Sequence, residues 1–179
     1  MDKKIGLFWL RDDFRFIKNH GLIEATTKHN QVVVFYLYKK DIYSDQEAQK
    51  WWLSRSLSNF KKKLNELNIS LEIVETHSFK IFFDSLIKKK DFAIYWNKVY
   101  EPDYLKLDKD IEIILEKKNI PFKFFKGNIL NEYQSITKND GTPFKVFTPF
   151  WRNAEQVYLN QPPSKNYIVK KKNKKDFIF

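Results

Sequence analysis

The chain has 179 residues, 42% hydrophobic and 17% aromatic, enough for one domain with its own core and too few for two large ones. It has no cysteine, which excludes disulfides, thiolate nucleophiles and cysteine-based metal centres; no apolar run nears the roughly 20 residues that cross a bilayer, and the opening residues lead into a strand without a signal-peptide core, so a cytoplasmic location away from the membrane is expected. The net charge of +11 rests almost wholly on lysine, the only arginines being Arg11, Arg15, Arg55 and Arg152, and it fits either a polyanion partner such as DNA or the codon usage of an AT-rich genome.

Ile5–Leu10 is a short apolar run and reads as a first strand. Asn19–Lys28 follows as a short helix. Val32–Tyr38 is apolar without alternation, the pattern of a strand buried on both faces of a parallel sheet. Glu47–Leu67 is the strongest helix, because Leu53, Leu57, Phe60, Leu64 and Leu67 form one stripe. Ser70–Val74 reads as the third strand, Phe79–Lys90 as a helix and Phe92–Trp96 as the fourth strand. Glu101-Pro102 opens another helix, with proline well placed in the first turn, and Tyr104, Leu107, Ile111 and Ile114 supply its inner face. Pro121–Phe125 is a fifth strand. A turn at Asn139-Asp140-Gly141 precedes a last short helix at Phe150–Leu159.

Strands alternating with helices imply right-handed crossovers. The expected fold is therefore α/β, a Rossmann-like five-stranded parallel sheet in the order 3-2-1-4-5 with helices on both faces. Residues 1–161 make the domain. In residues 162–179, Pro162-Pro163 ends the compact pattern, and Lys170, Lys171, Lys172, Lys174 and Lys175 read as a solvated basic linker. An apolar Phe177-Ile178-Phe179 end suggests a chain truncated before a further domain.

Several chemistries are excluded. Gly6, Gly21, Gly127 and Gly141 are too scattered for a dinucleotide or phosphate loop. His20, His29 and His77 lack zinc-ligand spacing, and no serine sits in a nucleophile elbow. No catalytic or metal residue is assigned. What remains is position: in an open parallel sheet, ligands bind at the carboxyl ends of the strands where strand order reverses. Those ends lead into Arg11–Arg15, Tyr38–Tyr43 and Asn97–Asp103.

Five stretches carry a resemblance. Phe8-Trp9-Leu10-Arg11-Asp12-Asp13-Phe14-Arg15 resembles the opening signature of DNA photolyases and cryptochromes. Trp51-Trp52-Leu53 with Ser56-Leu57 is similar to the family's long helix. Trp96-Asn97-Lys98-Val99-Tyr100-Glu101-Pro102 is similar to its Asn-x-x-Tyr-Glu-Pro segment. Thr142-Pro143-Phe144-Lys145-Val146-Phe147-Thr148-Pro149-Phe150-Trp151 is similar to its Lys-Val-Phe-Thr-Pro-Phe stretch. With Val33–Tyr38 as the family's second strand, the likeness runs in family order over residues 4 to 163 and is strongest to bacterial cyclobutane pyrimidine dimer photolyases.

The resemblance implies the N-terminal α/β antenna domain of a light-driven DNA repair lyase. It implies an antenna chromophore, which is methenyltetrahydrofolate, FMN or 8-hydroxy-5-deazaflavin, and FAD only in a helical domain that this chain lacks. The implied partners are that helical FAD domain and, through the full-length protein, damaged DNA, with the protein a monomer and this part alone inactive. A cryptochrome photoreceptor or a stand-alone nucleotide- or flavin-binding module are the other readings. Arg11, Tyr38, Asn97, Glu101 and Asp103 are the candidate chromophore residues. Arg11 either meets an anionic chromophore or pairs with Asp12 or Asp13. Glu101 either accepts a ring N–H or caps the following helix. Tyr38 either stacks on a ring or joins the core. Trp51 and Trp52 read as core or domain-interface residues, Phe144–Phe150 as a packing element between the two halves rather than a ligand contact, and Arg15 as structural.

Overall fold

In the computed structural model, which describes residues 5–39, 41, 45–89, 91–159, 167–172, 174 and 177–179, the alternation read from the sequence folds into one sheet. Its strands are β1 (Ile5–Leu10), β2 (Gln31–Tyr38), β3 (Ser70–Glu75), β4 (Phe92–Asn97) and β5 (Phe122–Phe125). They lie in the order β3-β2-β1-β4-β5, and every neighbouring pair is parallel. The crossovers are α1 (His20–Lys28), α2 (Glu47–Glu66), α3 (Phe79–Leu86) and α4 (Pro102–Lys117).

The unbroken apolar run of β2 has the cause expected of it. Val32, Val34 and Tyr36 face a layer made by α1 and α2, while Val33, Phe35 and Leu37 face α3 and α4. On the first face, Leu53, Leu57, Phe60 and Leu64 of α2 pack with Leu22, Ile23 and Ala25 of α1. On the second, Trp9 stacks on Phe35 at 6.4 Å and meets Phe83 edge-on at 5.0 Å, and Ile111 and Leu115 close the layer. A sheet covered on both sides needs such two-faced strands.

Most ends fall within one residue of the sequence reading, and three differences have a physical cause. Asn19 is the N-cap of α1 rather than its first turn; its Oδ1 accepts from Leu22 N at 3.2 Å. The third helix stops at Leu86, because the chain turns back through Asp91 at φ 69° to enter β4; Lys90 lies outside the described residues. The last helix, α5 (Phe147–Leu159), begins three residues early. Pro149 falls in its first turn, where no intrahelical donor is missed. Trp51 and Trp52, 63% and 59% exposed, are not core residues.

The tail also departs from expectation. Ile168 joins the α1–α2 core, and Lys171 is buried rather than solvated. Its Nζ donates to Thr26 O and, at 2.7 Å, to His29 O, carbonyls at the carboxyl end of α1 that no helical donor reaches. Lys171 N donates to Leu67 O, and Asn68 Nδ2 donates to Lys171 O at 2.8 Å. Phe179 packs on Phe35 and Phe82 at 5.0 and 5.7 Å. Pro162, Pro163 and Lys175 lie outside the described residues. Burial lowers the Lys171 pKa, so its charge is held against a desolvation cost by two carbonyl acceptors. Lys171→Met keeps the aliphatic stem and removes the donors; it should lower unfolding free energy by about 1–3 kcal/mol in urea titration, and an unchanged midpoint would show the strap to be decorative.

Candidate functional site

Strand order reverses between β1 and β4, and a cavity of about 400 Å³ opens there, at the carboxyl ends of the strands. It is lined by the β1 exit (Arg11, Asp12, Asp13), the β4 exit (Asn97 to Pro102) and the β5 exit (Gly127 to Ile129). These three loops are held together by one buried polar network. Asn97 Oδ1 accepts from Gly21 N at 3.0 Å, in the first turn of α1. Asn97 Nδ2 donates to Asp13 Oδ2 and to Asn19 Oδ1, both at 2.9 Å. Asn19 Nδ2 donates to the carbonyls of Asp13 and Arg15. Arg15 grips the Asp13 carboxylate through Nε and Nη2, at 2.6 and 2.7 Å, and reaches Gly127 O at 3.0 Å. Side chains are impossible at two points in this weave: a Cβ on Gly21 would lie 2.7 Å from Asn97 Oδ1, and one on Gly127 would lie 2.4 Å from Lys98 O.

Arg11 lines the cavity, yet its guanidinium is already engaged. It pairs with Asp108 through Nη1–Oδ1 at 2.8 Å and Nη2–Oδ2 at 3.2 Å, and donates to Asn97 O from Nε and Nη2. It also stacks over Trp9, 4.7 Å from the ring centroid. The partner is therefore neither Asp12 nor Asp13. Asp108 went unread although a signal existed: it falls between Tyr104 and Ile111 on the inner stripe of α4, where a carboxylate needs a reason. Burial raises the Asp108 pKa, and the facing Arg11 charge opposes it.

The other candidates divide. Glu101 lines the cavity and holds the N-cap position of α4, but its side chain makes no cap hydrogen bond. Asp103 sits in the first turn of α4, exposed, and Pro102 is the last α4 residue on the cavity wall. Tyr38 lies at the β2 exit, where it packs against the α2 layer and borders a separate recess with Lys50, Leu53 and Ile73. It does not share the cavity of Arg11, Asn97 and Glu101. Of the segment after Tyr38, Ile42, Tyr43 and Lys40 lie outside the described residues.

Asp12, Lys98, Tyr100 and Asn128 complete the polar wall. Partial burial raises the Asp12 pKa, and Arg11 opposes the shift. Tyr100 donates to Glu132 Oε1 at 2.7 Å and so ties the wall to the segment after β5. From there Asn131 Nδ2 reaches Ala154 O in α5, whose outer face exposes Phe147 (71%) and Trp151 (45%), next to the exposed Val146 that precedes the helix. Among the described residues no group of histidines and carboxylates could hold a metal ion, and no helix is long and apolar enough to cross a membrane.

A parallel sheet in this order, with a cavity at its reversal point, defines a Rossmann-like α/β domain. Residues 6–167 match the family model for DNA photolyase, and the chain belongs to that family. It is 28% identical to a deoxyribodipyrimidine photo-lyase of Agrobacterium fabrum over 83% of this chain and 31% of that protein. It is 26% identical to Cryptochrome-2 of Arabidopsis thaliana over 90% of this chain and 28% of that one. In fold it is similar to a bacterial class III photolyase from Agrobacterium tumefaciens, with a TM-score of 0.78 at 23% identity over the whole chain and 36% of that structure. The chain thus spans about a third of the length of these relatives.

Two outcomes test the architecture. Asp108→Ala strands a buried guanidinium and should cost about 3–5 kcal/mol of stability, read by urea unfolding; Asn97→Ala orphans Gly21 N and should cost about 1–3 kcal/mol. A third follows from charge. His20, at the start of α1, has its pKa lowered from 6.5 by burial first and then by Lys126 and Arg15. Its folded-state pKa is below the unfolded one, so its contribution is present above pH 6.5 and is lost as pH falls from there through the lower folded-state value. The fall in thermal midpoint from pH 7 to pH 5 should therefore be shallower in His20→Gln, and equal slopes would exclude His20 as the titrating group.

Proposed function

We propose that this chain is the light-harvesting, chromophore-binding N-terminal domain of a deoxyribodipyrimidine photolyase, a light-driven DNA repair protein. The observation that carries the reading is the cavity at the β1/β4 reversal, with Glu101 on its wall and no cap bond to occupy that side chain. The volume lies within the range of small-molecule sites, about 300–1,000 Å³. The donor set suits a planar heteroaromatic chromophore. Glu101 and Asp12 offer carboxylate oxygens to ring N–H groups. Arg11 shapes the floor through Asp108 and Asn97 rather than binding as a loose cation.

The ligand class is methenyltetrahydrofolate, FMN or 8-hydroxy-5-deazaflavin, each of which absorbs light and passes excitation onward. The receiver is FAD in a helical domain of the same protein, and the lesion is reached through the full-length protein in the cytoplasm. The exposed aromatic face of α5, with Phe147 stacked on Trp151 at 6.2 Å, supports docking of that helical domain. Neither a nucleophile nor a metal is needed for an antenna role. The likeness to plant cryptochromes supports a second reading, the same domain in a photoreceptor. Illumination of the full-length protein with dimer-containing DNA separates the two: repair marks the lyase, and its absence with a retained chromophore marks the photoreceptor.

The test on the chain itself is absorbance after incubation with each of the three chromophores and removal of free ligand. One retained near-ultraviolet or visible band is expected. Glu101→Gln should weaken retention about 5- to 150-fold, the equivalent of about 1–3 kcal/mol for a charged hydrogen bond. No band with any chromophore would overturn the site, and an unchanged affinity in the variant would remove Glu101 from it.

A further inference from the structure

Helices that cross over between parallel strands run antiparallel to them, so their carboxyl ends gather at the amino-terminal edge of the sheet, opposite the cavity. Here each end carries lysine. Lys28 closes α1, and Lys62 and Lys63 lie in the last turns of α2. Lys88 and Lys89 follow α3, and Lys117 and Lys118 follow each other at the end of α4. The tail adds to the same edge. Because Lys171 is buried under α1 and Asn68 holds its carbonyl, its neighbours Lys170 and Lys172 are fixed outward. Against these stand Glu66, Asp84, Asp91 and Glu116.

The opposite edge is balanced. There Asp12, Asp13, Glu75, Glu101 and Asp103 answer Arg11, Arg15, Lys39 and Lys98. The surplus of positive charge is thus concentrated rather than spread. Among the described residues, none of the edge lysines joins an ion pair, although Lys63 and Lys89 lie over the rings of Phe16 and Phe177. The helix dipole accounts for one cation at an end, as with Lys28, Lys63 and Lys117. It does not account for Lys170 and Lys172, which the strap brings in from a distant part of the chain.

We propose that this amino-terminal edge is a second contact surface, one that holds duplex DNA by its phosphates independently of the chromophore cavity. Four spacings between five strands make it about 19 Å wide, and duplex DNA offers one negative charge per about 1.7 Å of its axis. Lysine heads are point charges without the planar fork of arginine, so the contact positions the duplex and does not read bases. A lipid surface fits less well. It calls for a broad set of large apolar groups among the lysines, whereas among the described residues only Ile178 and Phe177 lie there, beside Lys89, and Trp51, Trp52, Phe147, Phe150 and Trp151 lie in the amino-terminal half of α2 and on α5.

The experiment is fluorescence anisotropy of a short undamaged duplex with the whole chain, in the dark, over about 20–200 mM salt. Micromolar binding at low salt is expected, indifferent to base sequence, with log affinity falling linearly in log salt by about 0.9 per phosphate held. Lys117→Gln, Lys118→Gln, Lys170→Gln and Lys172→Gln together should weaken binding at least about tenfold and flatten the slope by about two to three units. The same charge removed elsewhere, by Lys80→Gln, Lys106→Gln, Lys109→Gln and Lys145→Gln, should change affinity less than about threefold. In the unaltered chain, bound duplex should protect Lys117, Lys118, Lys170 and Lys172 from acetylation, a readout free of folding effects. Four results would overturn the proposal: no binding at low salt, equal losses in the two variants, equal acetylation with and without duplex, or binding to phosphatidylserine vesicles but not to duplex.

Discussion

Asn97 ends β4 with its side chain buried and both ends of its amide engaged. The carbonyl oxygen accepts from Gly21 N at the head of α1, and the nitrogen donates to Asp13 and Asn19. A buried amide left unpaired would cost about as much as the hydrogen bonds it lacks, so the three elements it joins cannot move apart separately. Everything at the carboxyl edge of the sheet follows from this constraint. Asp13 is held for Arg15, Arg15 reaches Gly127, and the β5 exit is drawn against the β4 exit so closely that only glycine fits beside Lys98 O. The cavity is the space that this tied rim leaves over β1 and β4.

The rim also settles which charges are available. Arg11 and Asp108 neutralise each other within the wall, in a buried pair where desolvation outweighs the attraction at Asp108. Asp12 and Glu101 then line the cavity with carboxylates on loops held by the network, while the Lys98 ammonium lies over the Phe124 ring. Groups pre-positioned in this way need little ordering when a ligand arrives. At the other edge of the sheet the same crossover geometry has a different consequence. It collects helix ends, and with them lysines, into a field of one sign. The two ends of the strands thus differ in kind, one holding the cavity and the other a surplus of lysines.

Much of this was legible before any coordinates. The apolar run of Val32–Leu37 announced a two-faced central strand, the stripe of α2 announced its packing, and the strand order followed from right-handed crossovers. The cavity lies where the order reverses, and Arg11, Asn97 and Glu101 do meet there. Tyr38 and Asp103 do not. Tyr38 emerges from β2, one strand away from the reversal, and Asp103 lies beyond Pro102, where α4 already turns from the wall. Trp51 and Trp52 stand off the α2 stripe and so remain outside the core.

Local pattern and crossover handedness are properties of short segments, so the sequence by itself determined the elements, their order in the sheet, the edge that holds the cavity and the family likeness that residues 6–167 bear out. Pairings between distant residues were decided only by the tertiary structure. Arg11 stands next to two aspartates in sequence but bonds Asp108, because the β1 exit faces the inner stripe of α4. Lys171 belongs to a run that reads as solvated, but it is buried because α1 presents unsatisfied carbonyls where the tail returns. A hydrogen bond is chosen by distance in space, and the chain order of its partners carries no record of it.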